Sequence, residues 1–265
     1  MIMRHATNRL AVSLFAAGLA AAPALAGQAG QACEARSGTE SASLVELYTS
    51  EGCDSCPPAD RWLSQLVRGN PSGSLVTLAF HVDYWDTIGW RDRFAAPEYG
   101  RRHRERVNAA GGRIVYTPQV LLNGRDFRAW RSDSALAQAV AEQKRRPPGA
   151  KLGLRLERAG EGWTAALDGQ ASGAGAQAWL AVYQDGLASE VKAGENRGRR
   201  LEHDRVVRRL FGPYAVEADG RIRGTARIDA GVGLDPAPGG VAAFVQRADG
   251  EVLQALALPF CAAGA

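Results

Sequence analysis

Residues 49–60 read TSEGCDSCPPAD and hold two of the chain's four cysteines, three positions apart. Before them, Leu44 to Thr49 is apolar and β-branched enough for a buried strand, interrupted only by Glu46. After them, PADRWLSQLVRG sets Trp62, Leu63, Leu66 and Val67 on one helical face and stops at Gly69-Asn70 with Pro71 following. Cys53 and Cys56 therefore belong to a strand-to-helix turn. The turn predicts Cys53 as an exposed residue at the helix cap, where unpaired N–H groups and the helix dipole favour a thiolate. Cys56 is expected one turn in, partly buried, as the resolving thiol. Asp54 opposes this, because an adjacent carboxylate disfavours a thiolate.

Working outward, SLVTLAFHV reads as a second buried strand and FAAPEYGRRHRERVNAA as a helix whose RRHRER cluster is expected to be a solvated face. PQVLLNG and RDFRAW form a hairpin turning on Asn123-Gly124, and SDSALAQAVAEQKRR a helix capped by Ser132 or Ser134 and ended by Pro147. Strands alternating with helices and closing on a hairpin imply an α/β fold, a mixed sheet with helices on both faces. After PPGA at 147–150 the pattern changes to short alternating segments bounded by Gly and Asp, from KLGLRLERAGEGWTAALDG to EVLQALALPF. These predict a small all-β, sandwich-like domain. The expected organisation is a signal segment at 1–26, an α/β domain with a helical insert at 27–148 and a β-rich domain at 149–265.

The first segment, MIMRHATNRLAVSLFAAGLAAAPALA, has Arg4 and Arg9, a short apolar stretch and Ala24-Leu25-Ala26, the pattern of a secretory signal cleaved after Ala26. No other segment approaches the about 18 apolar residues of a membrane span. Export to the periplasm or medium is expected, and there cysteines are read first as disulfides. Lys and Arg number 32 against 28 Asp and Glu, a balance that does not suggest nucleic acid.

The pair gains meaning from two other places. Thr117-Pro118 opens a later strand, where a proline, if cis, is a specific feature. Glu46, if buried without a partner, would have a raised pKa and could move a proton for the resolving thiol. The order of parts resembles a thioredoxin fold. More narrowly, ELYTSEGCDSCPPAD, FHVDYWDTIGWRDRFA, VYTPQVLLNG and ENRGRRLEHDRVVR, between residues 46 and 208, resemble the exported thioredoxin-like family catalogued as domain of unknown function 1223. The resemblance implies a thioredoxin-like domain fused to a small β-domain, and supplies no substrate. It implies Cys53 as nucleophile, Cys56 as resolving cysteine, Pro118 as cis-proline and Thr117 as the residue whose backbone meets a bound peptide. Glu46 matches the buried acid once one extra residue is allowed before the cysteines.

Cys33 and Cys261 are expected to pair, stapling both ends of the mature chain. His81 has two readings, an acid/base or ligand role and a hydrogen-bonded structural one. Trp85, Asp86 and Trp90 either floor a peptide groove or form a packing corner. Glu195, Asn196, His203 and Asp204 read equally as a polar site and as an inter-domain contact. The expected function is an exported thiol-disulfide oxidoreductase with no cofactor, acting on protein or peptide thiols and disulfides with an upstream redox partner. Two rivals stand beside it: a Cu(I) metallochaperone using Cys53, Cys56 and His81, and a non-catalytic binding module.

Overall fold

A computed structural model describes residues 1–2, 32–69, 74–173, 175–229 and 238–261; apart from its first two residues, the expected signal segment lies outside them. Among the described residues no helix is long and apolar enough to cross a membrane.

The chain forms a mixed α/β structure around an eight-stranded sheet. Its centre is β2 (Ser43–Thr49), with β3 (Leu75–His81) parallel on one side and β4 (Gln119–Leu122) antiparallel on the other. β4 turns into β5 (Arg125–Asp126) through Asn123 and Gly124, both at positive φ, as the Asn-Gly signal requires. Alternation along the strands decides what each face meets. Val45 and Leu47 pack with Trp62 and Leu63 of α1 (Pro57–Gly69) and Leu136 of α3 (Asp133–Arg145), whose cap is Ser132. Leu44, Tyr48, Leu78 and Phe80 face the other way, toward Tyr99 of α2 (Pro97–Ala109).

The second half both extends this sheet and covers it. β6 (Ala150–Ala159), β7 (Gly162–Ala171) and β12 (Arg221–Ile228) make a four-stranded sheet with β1 (Ala32–Arg36). β8 (Gln177–Gln184), β11 (Val206–Ala215), β13 (Gly239–Gln246) and β14 (Val252–Pro259) continue the large sheet beyond β3 in the order β3-β11-β8-β13-β14. A core of Leu154, Leu156, Trp163, Leu180, Val182, Val241 and Ile228 fills the space between the sheets, giving the sandwich packing. Both sheets run through the expected boundary at 148: β11 lies beside β3, and β1 beside β6. Each pairing satisfies a strand edge that would otherwise be exposed. Cys33, next to β1's start, is disulfide-bonded to Cys261 beyond β14.

β9 (Leu187–Glu190) and β10 (Arg200–His203) form a separate two-stranded hairpin. The RRHRER cluster is not wholly a solvated face. Arg102 and His103 are buried against the sheet, because their positions on α2 fall on the same side as Tyr99.

Candidate functional site

The site lies where β2 and β3 end, the end at which parallel strands deliver side chains from adjacent loops into one place. Cys53 and Cys56 are joined as a disulfide. α1 begins at Pro57, and Ala59 and Asp60 donate their backbone N–H to the Cys56 carbonyl. Pro57 and Pro58 have no N–H to contribute and take the first helical positions, where none is needed. Cys56 is therefore the residue at the cap, and Cys53 sits in the turn ahead of it, a correction to the expected placement. Both cysteines are 0% exposed, which corrects the expectation of an accessible Cys53.

Around Cys53 the contacts are specific. Its Sγ lies 3.2 Å from the Ser55 hydroxyl and 3.9 Å from the Thr117 carbonyl oxygen. The Thr117-Pro118 bond is cis. Trp85, in the 3-10 turn Asp83–Ile88, donates its indole N–H to Thr117 Oγ1 at 2.7 Å and lies against Gly52, where an added Cβ would meet Trp85 Cβ at 3.2 Å. Cys53, Cys56, Thr117, Pro118 and Trp85 are thus brought together.

Glu46 is not brought to the cysteines. β2's alternation turns it to the α2 face, where Arg102 donates to Glu46 Oε1 through Nη2 at 2.6 Å and Nε at 3.1 Å. Gln246 reaches the other oxygen at 3.3 Å, and Arg102 also contacts Gln246. Glu46 is a paired carboxylate, not the lone buried acid that the sequence suggested.

A different set of buried ionisable groups lies on the cysteine side. His81 donates from Nδ1 to Asp92 Oδ2 at 2.6 Å, and both side chains are fully buried. Burial pulls the His81 pKa down, but the carboxylates of Asp92, Asp60 and Glu51 together more than reverse this and the net direction is up. Burial pushes Asp92 up, and His81 together with the backbone N–H groups of Glu51 and Phe94 outweighs it, so the net direction is down. His203 places Nε2 3.3 Å from Glu51 Oε1 and Nδ1 3.9 Å from Asp60 Oδ2. Its ring stands edge-to-face on His81 with centroids 4.8 Å apart. Glu51 also receives the Trp90 indole N–H at 2.8 Å and, on its backbone N–H, donates to Asp92. Burial raises the Asp60 pKa, only partly offset by His203, His81 and the Thr49 hydroxyl.

His81 is accordingly held as the hydrogen-bonded partner of Asp92. Among the described residues no group of three or more His, Cys, Asp or Glu side chains is arranged to hold a metal ion while Cys53 and Cys56 are joined as a disulfide. Asp86 accepts the Asp92 backbone N–H at 3.1 Å, and with Trp90 it belongs to the packing corner around that carboxylate.

The second half contributes directly. Asn196, fully buried, donates its side-chain N–H groups to the Glu51 and Cys53 carbonyls, each at 2.9 Å. Glu195 accepts the Asp54 backbone N–H at 3.0 Å. Sequence reasoning marked Glu195, Asn196 and His203 as polar but missed Glu51, Asp60 and Asp92. The only local sign was an acid in each of three segments otherwise read as turn, helix and loop.

No curated protein matches the chain. A crystal structure of a protein from Agrobacterium tumefaciens is similar to it, with 27% identity and a TM-score of 0.63, covering 86% of this chain and 99% of that one. A family model described as "Protein of unknown function (DUF1223)" matches residues 44–246, a span that contains the cysteine pair, Thr117-Pro118, Asn196 and His203. The chain belongs to that family.

Proposed function

We propose that the protein is an exported thiol-disulfide oxidoreductase with a thioredoxin-like active site, working through the Cys53–Cys56 pair. The observation that carries this reading is the cysteine pair at the strand ends with Cys53 Sγ 3.9 Å from the Thr117 carbonyl. A carbonyl beside the nucleophile is a backbone acceptor that an extended substrate segment can pair with. The paired cysteines, their place in the turn and Trp85 beside Thr117 support it further.

Starting from the dithiol, the Cys53 thiolate attacks one sulfur of a substrate disulfide. That S–S bond breaks, and the departing substrate thiolate takes up a proton. Cys56 then loses its proton and attacks Cys53 Sγ. The mixed disulfide breaks, the second substrate thiolate leaves and is protonated, and the protein holds the new disulfide. Two electrons have passed from protein to substrate, and the reverse sequence oxidises a substrate dithiol. Export supplies the compartment in which such disulfides persist.

The complete burial of both sulfurs favours a second reading, a non-catalytic module with an inert disulfide. Turnover separates the two. The oxidoreductase reading expects disulfide reduction or dithiol oxidation that is abolished in Cys53→Ser, and turnover unaffected by that substitution would refute it.

A further inference from the structure

The hairpin over the cysteines is built differently from the rest of the β structure. Leu187–His203 forms its own two-stranded sheet and is hydrogen-bonded as a strand to neither large sheet. Its two feet are fixed: Asp185 donates its backbone N–H to the Pro238 carbonyl, and the Arg205 carbonyl accepts the Ala79 N–H of β3. One residue at positive φ marks each foot: Gly186 at 68°, next to Asp185, and Arg205 itself at 58°. Residues outside the ordinary backbone wells at both ends of one segment are where a hinge can absorb a change of direction.

Under the hairpin's strands lies a cleft of about 470 Å³ against α1, bordered by Arg61, Ser64 and Arg68 on the helix and by Leu187, Arg200 and His203 on the hairpin. β10 touches α1, and Val191, Leu201 and His203 of the hairpin are buried, but the cleft leaves part of that face unfilled. Beside these buried side chains the hairpin is held by polar ties. Asn196 grips the Glu51 and Cys53 carbonyls, and Arg199 steadies Asn196 by donating to its Oδ1 at 2.8 Å. Glu195 takes the Asp54 N–H, His203 faces Glu51 and Asp60, and Arg93 donates to the Ala188 carbonyl at 2.6 Å.

Resting on the oxidoreductase reading, we propose that residues 187–203 are a hinged cover that selects which sulfur compounds reach Cys53, with Asn196 as its latch. Asn196 is a positioning residue: it touches the backbone of Cys53 and takes no part in electron transfer. The Glu51 and Cys53 carbonyls that it occupies become free when the cover lifts. A small thiol or disulfide needs only a brief local opening, whereas a polypeptide must displace the latch and satisfy those carbonyls itself. Such local openings cost less than global unfolding.

The test uses the full chain with the 53/56 pair reduced, labelled by N-ethylmaleimide or by a polyethylene glycol maleimide, with the label at Cys53 located by peptide mapping. The expected result is that the parent protein reacts at least about tenfold faster with the small reagent, after allowing for the reagents' rates with a free thiol. Asn196→Ala should reduce that preference to below about threefold, while Arg200→Ala, which removes only the exposed pairs with Glu190 and Glu202, should leave it unchanged. A parent protein without size preference, or an Asn196→Ala variant that retains it, overturns the cover. Should Asn196→Ala not fold, hydrogen exchange on the parent decides: backbone amides of 187–203 should exchange well before those of β13, and equal protection overturns the proposal. Neither measurement depends on turnover. Unchanged turnover in Cys53→Ser sinks the oxidoreductase reading alone, and an active protein lacking size preference sinks the cover alone.

Discussion

Two buried histidines pull the protein's pH response in opposite directions. His103 stacks on Tyr48 with centroids 4.0 Å apart, and its Nε2 lies 2.7 Å from Gln119 Oε1. Burial, only partly offset by Gln119, pushes its pKa down from 6.5 to about 4. A group whose folded pKa is depressed loses its contribution as pH falls, here between 6.5 and about 4, and linkage puts that loss at about 3 kcal/mol. His81, with a raised pKa, acts the other way: its contribution is complete below pH 6.5 and is lost as pH rises through the folded value. Urea denaturation from pH 4 to 7 should show stability climbing with pH, and His103→Gln should flatten that climb. A His103→Gln curve parallel to the parent's would refute the assignment. At this scale the sequence was a partial guide. Cys53, Cys56 and Pro118 announce themselves by spacing and residue type. Glu46 could not be placed, since its meaning depends on Arg102, 56 positions away.

Among the elements, the β4–β5 turn is the one whose chemistry is most completely local. Gly124 has φ of 81°, and a Cβ there would run into the Gly250 carbonyl of the β13–β14 turn. Strain and collision add, so Gly124→Ala should cost about 1–3 kcal/mol, read as a lowered urea midpoint with an unchanged m-value. A variant as stable as the parent would mean that the two turns do not touch in solution. Asn-Gly made this hairpin readable in advance, as the apolar face made α1 readable and Ser132 made the start of α3 readable. β9, β10 and β11 were not readable. RLEH and LASE are short and polar, and VVRRLFGPYA carries a glycine and a proline within its run. They are strands because of what they lie beside: β11 is held between β8 and β3. β-propensity measures fit to such surroundings more than any preference of the backbone.

For the whole molecule, the Cys33–Cys261 disulfide closes a loop of 228 residues and ties β1 to the end of β14. In the chain-entropy model a loop of that length is worth about 5 kcal/mol. A double Cys33→Ser, Cys261→Ser variant should unfold at a markedly lower denaturant concentration while Cys53 and Cys56 still form their disulfide. If its midpoint equals the parent's, the staple contributes nothing. Pairing of these two cysteines was legible by their positions at opposite ends of the chain. The continuity of the large sheet through residue 148 was not, because composition changes there while hydrogen bonding does not.

Local patterning is enough to dictate the strand, the cysteine turn, the helix after it, the Asn-Gly hairpin and the change to short strands past residue 148. Each depends on neighbours within a turn or two, through periodicity, capping or the φ values a residue tolerates. The burial of the cysteine pair, the diversion of Glu46 to Arg102 and the gathering of Glu51, Asp60, His81, Asp92 and His203 come from the packed molecule. They arise because β-strand alternation sends Glu46 and His81 to opposite faces, and because a hairpin more than 130 residues downstream of Cys53 lays Asn196 on its carbonyl.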